Sequence, residues 1–262
     1  MPKHDKENIE LPIVGIIIPC HNHAHYVLRA IKSVVQQDYP HKAICIIDDG
    51  SIDETSKFIK EYIEENGSVL DDTPKTVFGG VVDECPIYLY RNESGTGPSA
   101  ARNKGIEIMS KSVQIYGMLD ADDIYLPGKI SKSVVKILES PAVVGIVYTD
   151  AIIRHENIGL DIHEMRQPYD RVVLERECII SNTPFITKLA MDTIGNYDEE
   201  MRTCEDWDLY MRITEVFVAI HIPEPLHIYS VTGSNTTQTI NKELWEKNWK
   251  RVQEKRLSRR GV

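Results

Sequence analysis

Five apolar runs of five to seven residues, at 13–19, 43–47, 86–90, 115–119 and 143–149, punctuate the first 150 positions, and polar residues close each one. Short runs of this kind predict strands buried on both faces of a sheet. Helical spacing follows at 24–37, at 53–65 with Asp53 as N-cap, at 98–110, and from Pro127 in a first turn to about 140. The stretch 66–85 is poorly periodic and rich in Gly and Asp, which predicts a long loop. Strands alternating with helices predict βαβ units and a mostly parallel central sheet flanked by helices. Beyond 150 the pattern loosens into a mixed segment at 151–182, a helix at 204–214, and short strands at 216–222 and 226–231. The simplest division is one α/β domain at 13–237 and a helical tail at 238–262.

The 262 residues suit one large domain, and no stretch of 18 apolar residues predicts a membrane-spanning helix. The charged opening, Met1 to Leu11, lacks the apolar centre of a signal peptide. Cys20, Cys45, Cys85, Cys178 and Cys204 are scattered and odd in number, which suits reduced core residues of a cytoplasmic protein. A net charge of -10 argues against nucleic acid as a partner. The tail differs. Residues 241–262 hold eight Lys/Arg against three Glu, a charge of +5 that leaves -15 for the rest. With Leu244, Trp245, Trp249 and Val252, two readings stand: peripheral contact with an anionic membrane face, or a helix packed on the domain with a solvated basic face.

Three runs end in carboxylates, at Asp48-Asp49, at Asp120-Ala121-Asp122-Asp123 and at Asp150. Ligands of open α/β sheets bind beyond the carboxyl ends of the strands. Acids gathered there repel one another unless a cation joins them, and oxygen ligands suit Mg²⁺ or Mn²⁺ held together with substrate phosphates. Gly95-Thr96-Gly97-Pro98-Ser99-Ala100 satisfies the dinucleotide fingerprint, but on the third strand and without its own ribose-binding acid. His21, His23 and His25 alternate with no Cys or carboxylate to complete a zinc set.

Five motifs then occur in order: Val14-Gly15-Ile16-Ile17-Ile18-Pro19-Cys20-His21-Asn22, Ile46-Ile47-Asp48-Asp49-Gly50-Ser51, Ser99-Ala100-Ala101-Arg102-Asn103-Lys104-Gly105, Leu119-Asp120-Ala121-Asp122-Asp123 and Cys204-Glu205-Asp206-Trp207-Asp208-Leu209. Over residues 13–237 the chain resembles the family 2 inverting glycosyltransferases of the GT-A (nucleotide-diphospho-sugar transferase) fold. The resemblance implies a nucleotide-sugar half at 13–123 and an acceptor half at 124–237. It implies that Pro19, His21 and Asn22 approach the nucleotide base, that Asp49 bonds the uracil of a UDP-sugar, and that Arg102 and Asn103 steady the donor. Asp120-Ala121-Asp122 matches the DXD element, with Asp120 on ribose or sugar and Asp122 on Mg²⁺ or Mn²⁺. Asp206 matches the catalytic base, and Asp123 is left to helix or turn capping. The implied partners are a nucleotide-sugar donor and a carbohydrate or lipid-linked acceptor. The setting is polysaccharide or glycoconjugate synthesis at the cytoplasmic side of a membrane.

The chain departs from the family in two places. Where relatives carry Tyr-Arg-x-His, this chain reads Tyr229-Ser230-Val231-Thr232, continuing to Asn235. Either hydroxyls and backbone serve the diphosphate there, or His227 or an Arg from elsewhere substitutes. His21 stands where relatives often have Tyr. The alternative function is a non-catalytic nucleotide-sugar-binding relative.

Overall fold

The computed structural model describes residues 10–70, 77–233 and 241–261. The first part of the chain runs β1 (Val14–Cys20), α1 (Val27–Val35), β2 (Lys42–Asp48), α2 (Thr55–Asn66), β3 (Ser68–Val69), β4 (Val77–Val82), β5 (Cys85–Arg91), α3 (Pro98–Met109) and β6 (Ile115–Met118). Then follow β7 (Ile124–Tyr125), α4 (Lys129–Glu139), β8 (Val144–His155), β9 (Leu160–Glu164), α5 (Arg171–Leu174), β10 (Phe185–Thr187), α6 (Lys188–Ile194), α7 (Glu205–Ile213), β11 (Val218–Val231) and α8 (Lys242–Arg259).

All eleven strands join one sheet in the order β3-β4-β5-β2-β1-β6-β10-β8-β11-β7, with β9 paired to β8. Its heart, β5-β2-β1-β6, is parallel throughout. β10 enters antiparallel to both β6 and β8, and β11 returns parallel to β8. Alternation along each strand divides the core. Val14, Ile16, Ile18, Ile44 and Ile46 face one side with α1, α2 and α4. Ile17, Cys45 and Ile47 face the other with α3, α6, α7 and α8. On α1 the buried set Val27, Ala30, Ile31, Val34 and Val35 recurs every three to four residues, so one stripe is driven onto the sheet.

Several expectations need correction. Part of the stretch read as a long loop is β3 and β4, which extend the sheet, β4 antiparallel to β5 and β3 antiparallel to β4. Asp53 does not cap α2 as its boundary residue, which is Glu54. Its carboxylate instead accepts from Thr55 N and from Ala24 N, joining two loops. Pro127 precedes the helix that it was expected to open: Gly128, at φ 81°, stands between it and α4. The two late strands are one, β11, whose register shifts around Pro225. Asp150 is not a strand end at all. It lies within β8, buried, accepting from Arg166 N at 2.9 Å and bonded to His221 Nε2 at 2.7 Å.

The tail reading also changes. On α8, Val252 is buried, Trp249 packs on the core, and buried Asn248 donates to Thr203 Oγ1 at 2.8 Å. Much of the basic face is ion-paired. Arg251, Lys255, Arg256, Arg259 and Arg260 pair with Asp198, Glu200, Asp208, Glu175 and Glu215. Lys247 and Lys250 are exposed and have no carboxylate partner among the described residues. None of the described helices is long and apolar enough to cross a membrane.

Candidate active site

Because β1, β2 and β6 are parallel neighbours, their carboxyl ends open at one edge. A cleft of about 850 Å³ lies there. Pro19, His21, Asp49, Arg102, Asp120, Asp122 and Asp206 all line it, so seven of the nine residues named from sequence meet in one place. Asn22 and Asn103 are not among its lining residues. Asn22 joins two loops. It sits at φ 57° with its N–H on Ser51 Oγ, and its Oδ1 accepts from Ile52 N, which locks the β1 and β2 loops together. His21 is fixed by the same loops: Nδ1 lies 2.8 Å from Asp49 O, and Nε2 lies 3.0 Å from Asn22 Nδ2.

The acidic doublet after β2 divides its work. Asp48, fully buried, accepts from Ser51 N at 2.9 Å and from Ser56 Oγ, closing the turn onto α2. Gly50 permits that turn, because its φ is 74° and a Cβ there would lie 2.7 Å from Gly95 N. Asp49 takes four donors: Asn92 Nδ2, Thr96 N, Thr96 Oγ1 and Gly97 N, at 2.7–2.9 Å. Burial alone would raise its pKa, but these bonds outweigh burial and hold it below the usual carboxylate range. Asp49 therefore anchors the glycine loop before α3 at the edge of the cleft.

Arg102 is the hinge of the arrangement. From α3 its guanidinium reaches Asp120 Oδ1 at 2.7 Å and Glu205 Oε1 at 2.8 Å, and it lies 5.6 Å from the Tyr197 ring centre. One planar fork thus joins the end of β6 to the start of α7, where Asp206 follows Glu205. Burial opposes the charge, yet Asp120 and Glu205 keep Arg102 firmly protonated. Asn103, next along α3, holds a neighbouring loop. It brackets Tyr197, donating to its carbonyl and accepting from its N–H, and so fixes a loop.

The three acids after β6 have separate environments. Asp123 is not a local cap. It is fully buried, and it accepts from Ser230 N at 2.9 Å and Asn182 Nδ2 at 2.7 Å, fastening β11 behind the site. Asn182 also reaches Asp120 at 3.2 Å. Asp122 is pushed up to about 6, first by burial and then by Asp120. Asp206 is likewise pushed up to about 6, by burial and then by Glu205, even though Trp207 N donates to it at 2.7 Å.

This repulsion is the test of whether a divalent cation fits. A desolvated carboxylate beside a second one is relaxed by a hard cation between them. Among the described residues no group of three or more His, Cys, Asp or Glu is arranged to hold a metal. The remaining coordination would come from substrate phosphate and water, the usual manner of binding Mg²⁺. Asp122, beside Asp120, fits that pattern.

Of the substitutes considered for Tyr-Arg-x-His, His227 is excluded as a cleft residue. It is fully buried beside Thr149 and Lys129, and burial and then Lys129 push its pKa well down. Ser230 is buried within β11. Ser234 and Asn235 lie outside the described residues. Tyr229, Arg176, Arg202 and Trp245 also line the cleft, a place the sequence reading gave to none of them. Arg and Trp residues from three separate segments form no motif, and only the fold brings them together.

A parallel sheet with an acidic cleft at its carboxyl edge, continued by an antiparallel strand, is the architecture of a GT-A nucleotide-sugar transferase. Residues 15–185 match the model of "Glycosyl transferase family 2", and the chain belongs to that family. It is a glycosyltransferase. It is 28% identical over 251 residues to an uncharacterized glycosyltransferase of Rickettsia prowazekii, covering 92% of this chain and 71% of the relative. It is 24% identical to an Escherichia coli chondroitin synthase, but spans only 35% of that protein. S. aureus TarS 1–349 in complex with UDP-GlcNAc superposes with a TM-score of 0.67 at 13% identity, covering 94% of this chain and 71% of TarS 1–349. The mannosyltransferase PcManGT from Pyrobaculum calidifontis, in complex with GDP-Man and Mn²⁺, gives 0.63 at 18%, covering 87% of this chain and 59% of its own. At these identities the structural likeness is one of fold.

Proposed function

We propose that the enzyme moves a sugar from a UDP-linked donor to an acceptor hydroxyl in one displacement, with inversion at the anomeric carbon and with Mg²⁺ or Mn²⁺ bound. The observation that carries this reading is that Asp122 and Asp206, 84 positions apart, open onto one cleft. Asp206 takes the proton of the acceptor hydroxyl as its oxygen attacks, and the bond from the anomeric carbon to the diphosphate oxygen breaks on the opposite face. Bound at Asp122, the metal would offset charge on the departing diphosphate. Arg102 keeps Asp120 and Asp206 in register by bridging the elements that carry them. Pro19 and His21, with the glycine loop that Asp49 anchors, form the base end. The acceptor is a carbohydrate, free or lipid-linked. Chondroitin synthase and hyaluronan synthase are among the curated relatives, which favours polysaccharide or glycoconjugate synthesis.

A thermal-shift series with Mn²⁺ tests the donor class. A ligand at a hundred times its Kd stabilises by ~2.7 kcal/mol. For a chain of this size that is a rise of about 5–10 °C. UDP and UDP-sugars should give that rise. A rise with GDP-sugars and none with UDP would overturn the donor assignment.

A further inference from the structure

The chain has thirteen arginines. Eleven of them form ion pairs with carboxylates within 4 Å. The other two, Arg176 and Arg202, both line the cleft and make no ion pair among the described residues. In a protein of charge -10, whose cleft itself carries Asp122, Glu177 and Asp206, two guanidinium groups without an acid are exceptional.

Their places relative to Asp206 matter. Arg202 lies four positions before it, and a Cβ on Gly97 would come within 2.3 Å of Arg202 Nη1. The glycine therefore lets the guanidinium lie flat against the start of α3. Arg176 precedes Cys178, which lines the cleft near Asp206 and whose pKa is raised by burial and then by Asp206. The third member is Trp245, 42% exposed, in the first turn of α8. One turn later Asn248, itself buried, bonds to Thr203 beside Arg202, so the indole is held at the same rim. An in-line displacement puts the acceptor on the side of the base and the diphosphate on the far side, toward Asp122. The two cations and the indole line the cleft that Asp206 also lines.

We propose that Arg176, Arg202 and Trp245 form an acceptor subsite for a sugar that carries a carboxylate or phosphate group. The guanidinium forks match either anion in a bidentate manner. Trp245 offers a rigid, half-exposed face for the apolar face of a pyranose ring. The subsite rests on Asp206 being the base of a transferase cleft, and it adds the chemistry of the group that approaches it.

The test uses the full chain loaded with UDP and Mn²⁺, titrated while tryptophan fluorescence is followed. Three matched probes are used: a hexasaccharide containing glucuronate, its carboxyl-reduced neutral counterpart, and that neutral counterpart bearing a 6-phosphate. At least one anionic probe should bind ten or more times tighter than the neutral one, and comparison of the two identifies the anion. Arg176→Gln with Arg202→Gln should remove that preference, and Trp245→Leu should remove most of the fluorescence change. UDP affinity should stay within about twofold in each variant. Equal binding of charged and neutral probes, or no binding of either anionic probe, overturns the proposal. A parallel loss of UDP affinity also overturns it, by placing the arginines on the donor diphosphate. If the unaltered protein fails to bind UDP, the donor reading fails instead, and the two failures are distinct.

Discussion

Asp206→Asn should lower kcat by roughly 10²–10⁴-fold, the usual contribution of a positioned general base, while UDP affinity changes little. The amide keeps the shape of the carboxylate and its bond from Trp207 N, so the loss is of proton acceptance alone. Donor binding relies on other elements, the loops after β1 and β2 and the end of β6. The pH profile adds an independent sign. Asp206 is raised to about 6, by burial and then by Glu205, from an ordinary carboxylate value. A base acts only when deprotonated, so transfer should be full above that value and fall as the pH drops through about 6. In Asp206→Asn the residual rate should lose this acid limb. Near-normal turnover in the variant would remove Asp206 from the role.

Asp122→Ala should abolish the part of UDP affinity that depends on Mn²⁺. Asp122 is the acid whose burial and neighbour, Asp120, leave it most relieved by a cation. Without it, the metal has diphosphate and water but no protein carboxylate to fix it. Calorimetric titration should show affinity falling by about 100-fold, or ~2.7 kcal/mol, toward the value in EDTA. Asp120 is a poorer ligand on its own, because Arg102 offsets its charge and Asn182 donates to its other oxygen. Unchanged Mn²⁺-dependent binding would mean that the metal, if held, is held elsewhere.

The parallel heart of the sheet is readable in the chain because each of its strands is an unbroken apolar run. β4 escaped because Gly79 and Gly80 interrupt its run and lower its strand propensity. β10 has only three residues, too few for a period to register. Pro223 and Pro225 made β11 look like two strands, and its partner β8 takes up the break as a register shift. At the site, Asp49, Asp122 and Asp206 were legible because each belongs to a motif. The role of Arg102 as a bridge was not, since its second partner, Glu205, lies 103 positions away. The docking of α8 was equally hidden. Its basic residues meet acids at 175, 198, 200, 208 and 215, which form one surface only after α7 and the preceding loop have packed.

The central claim is a single displacement at the anomeric carbon, with one carboxylate as base and no covalent sugar–enzyme intermediate. Slow hydrolysis of an α-linked UDP-sugar tests it without knowledge of the acceptor, because water can take the acceptor's place. Proton NMR of the first sugar released, recorded before mutarotation, should show the β-anomer. Release of the α-anomer would contradict the account.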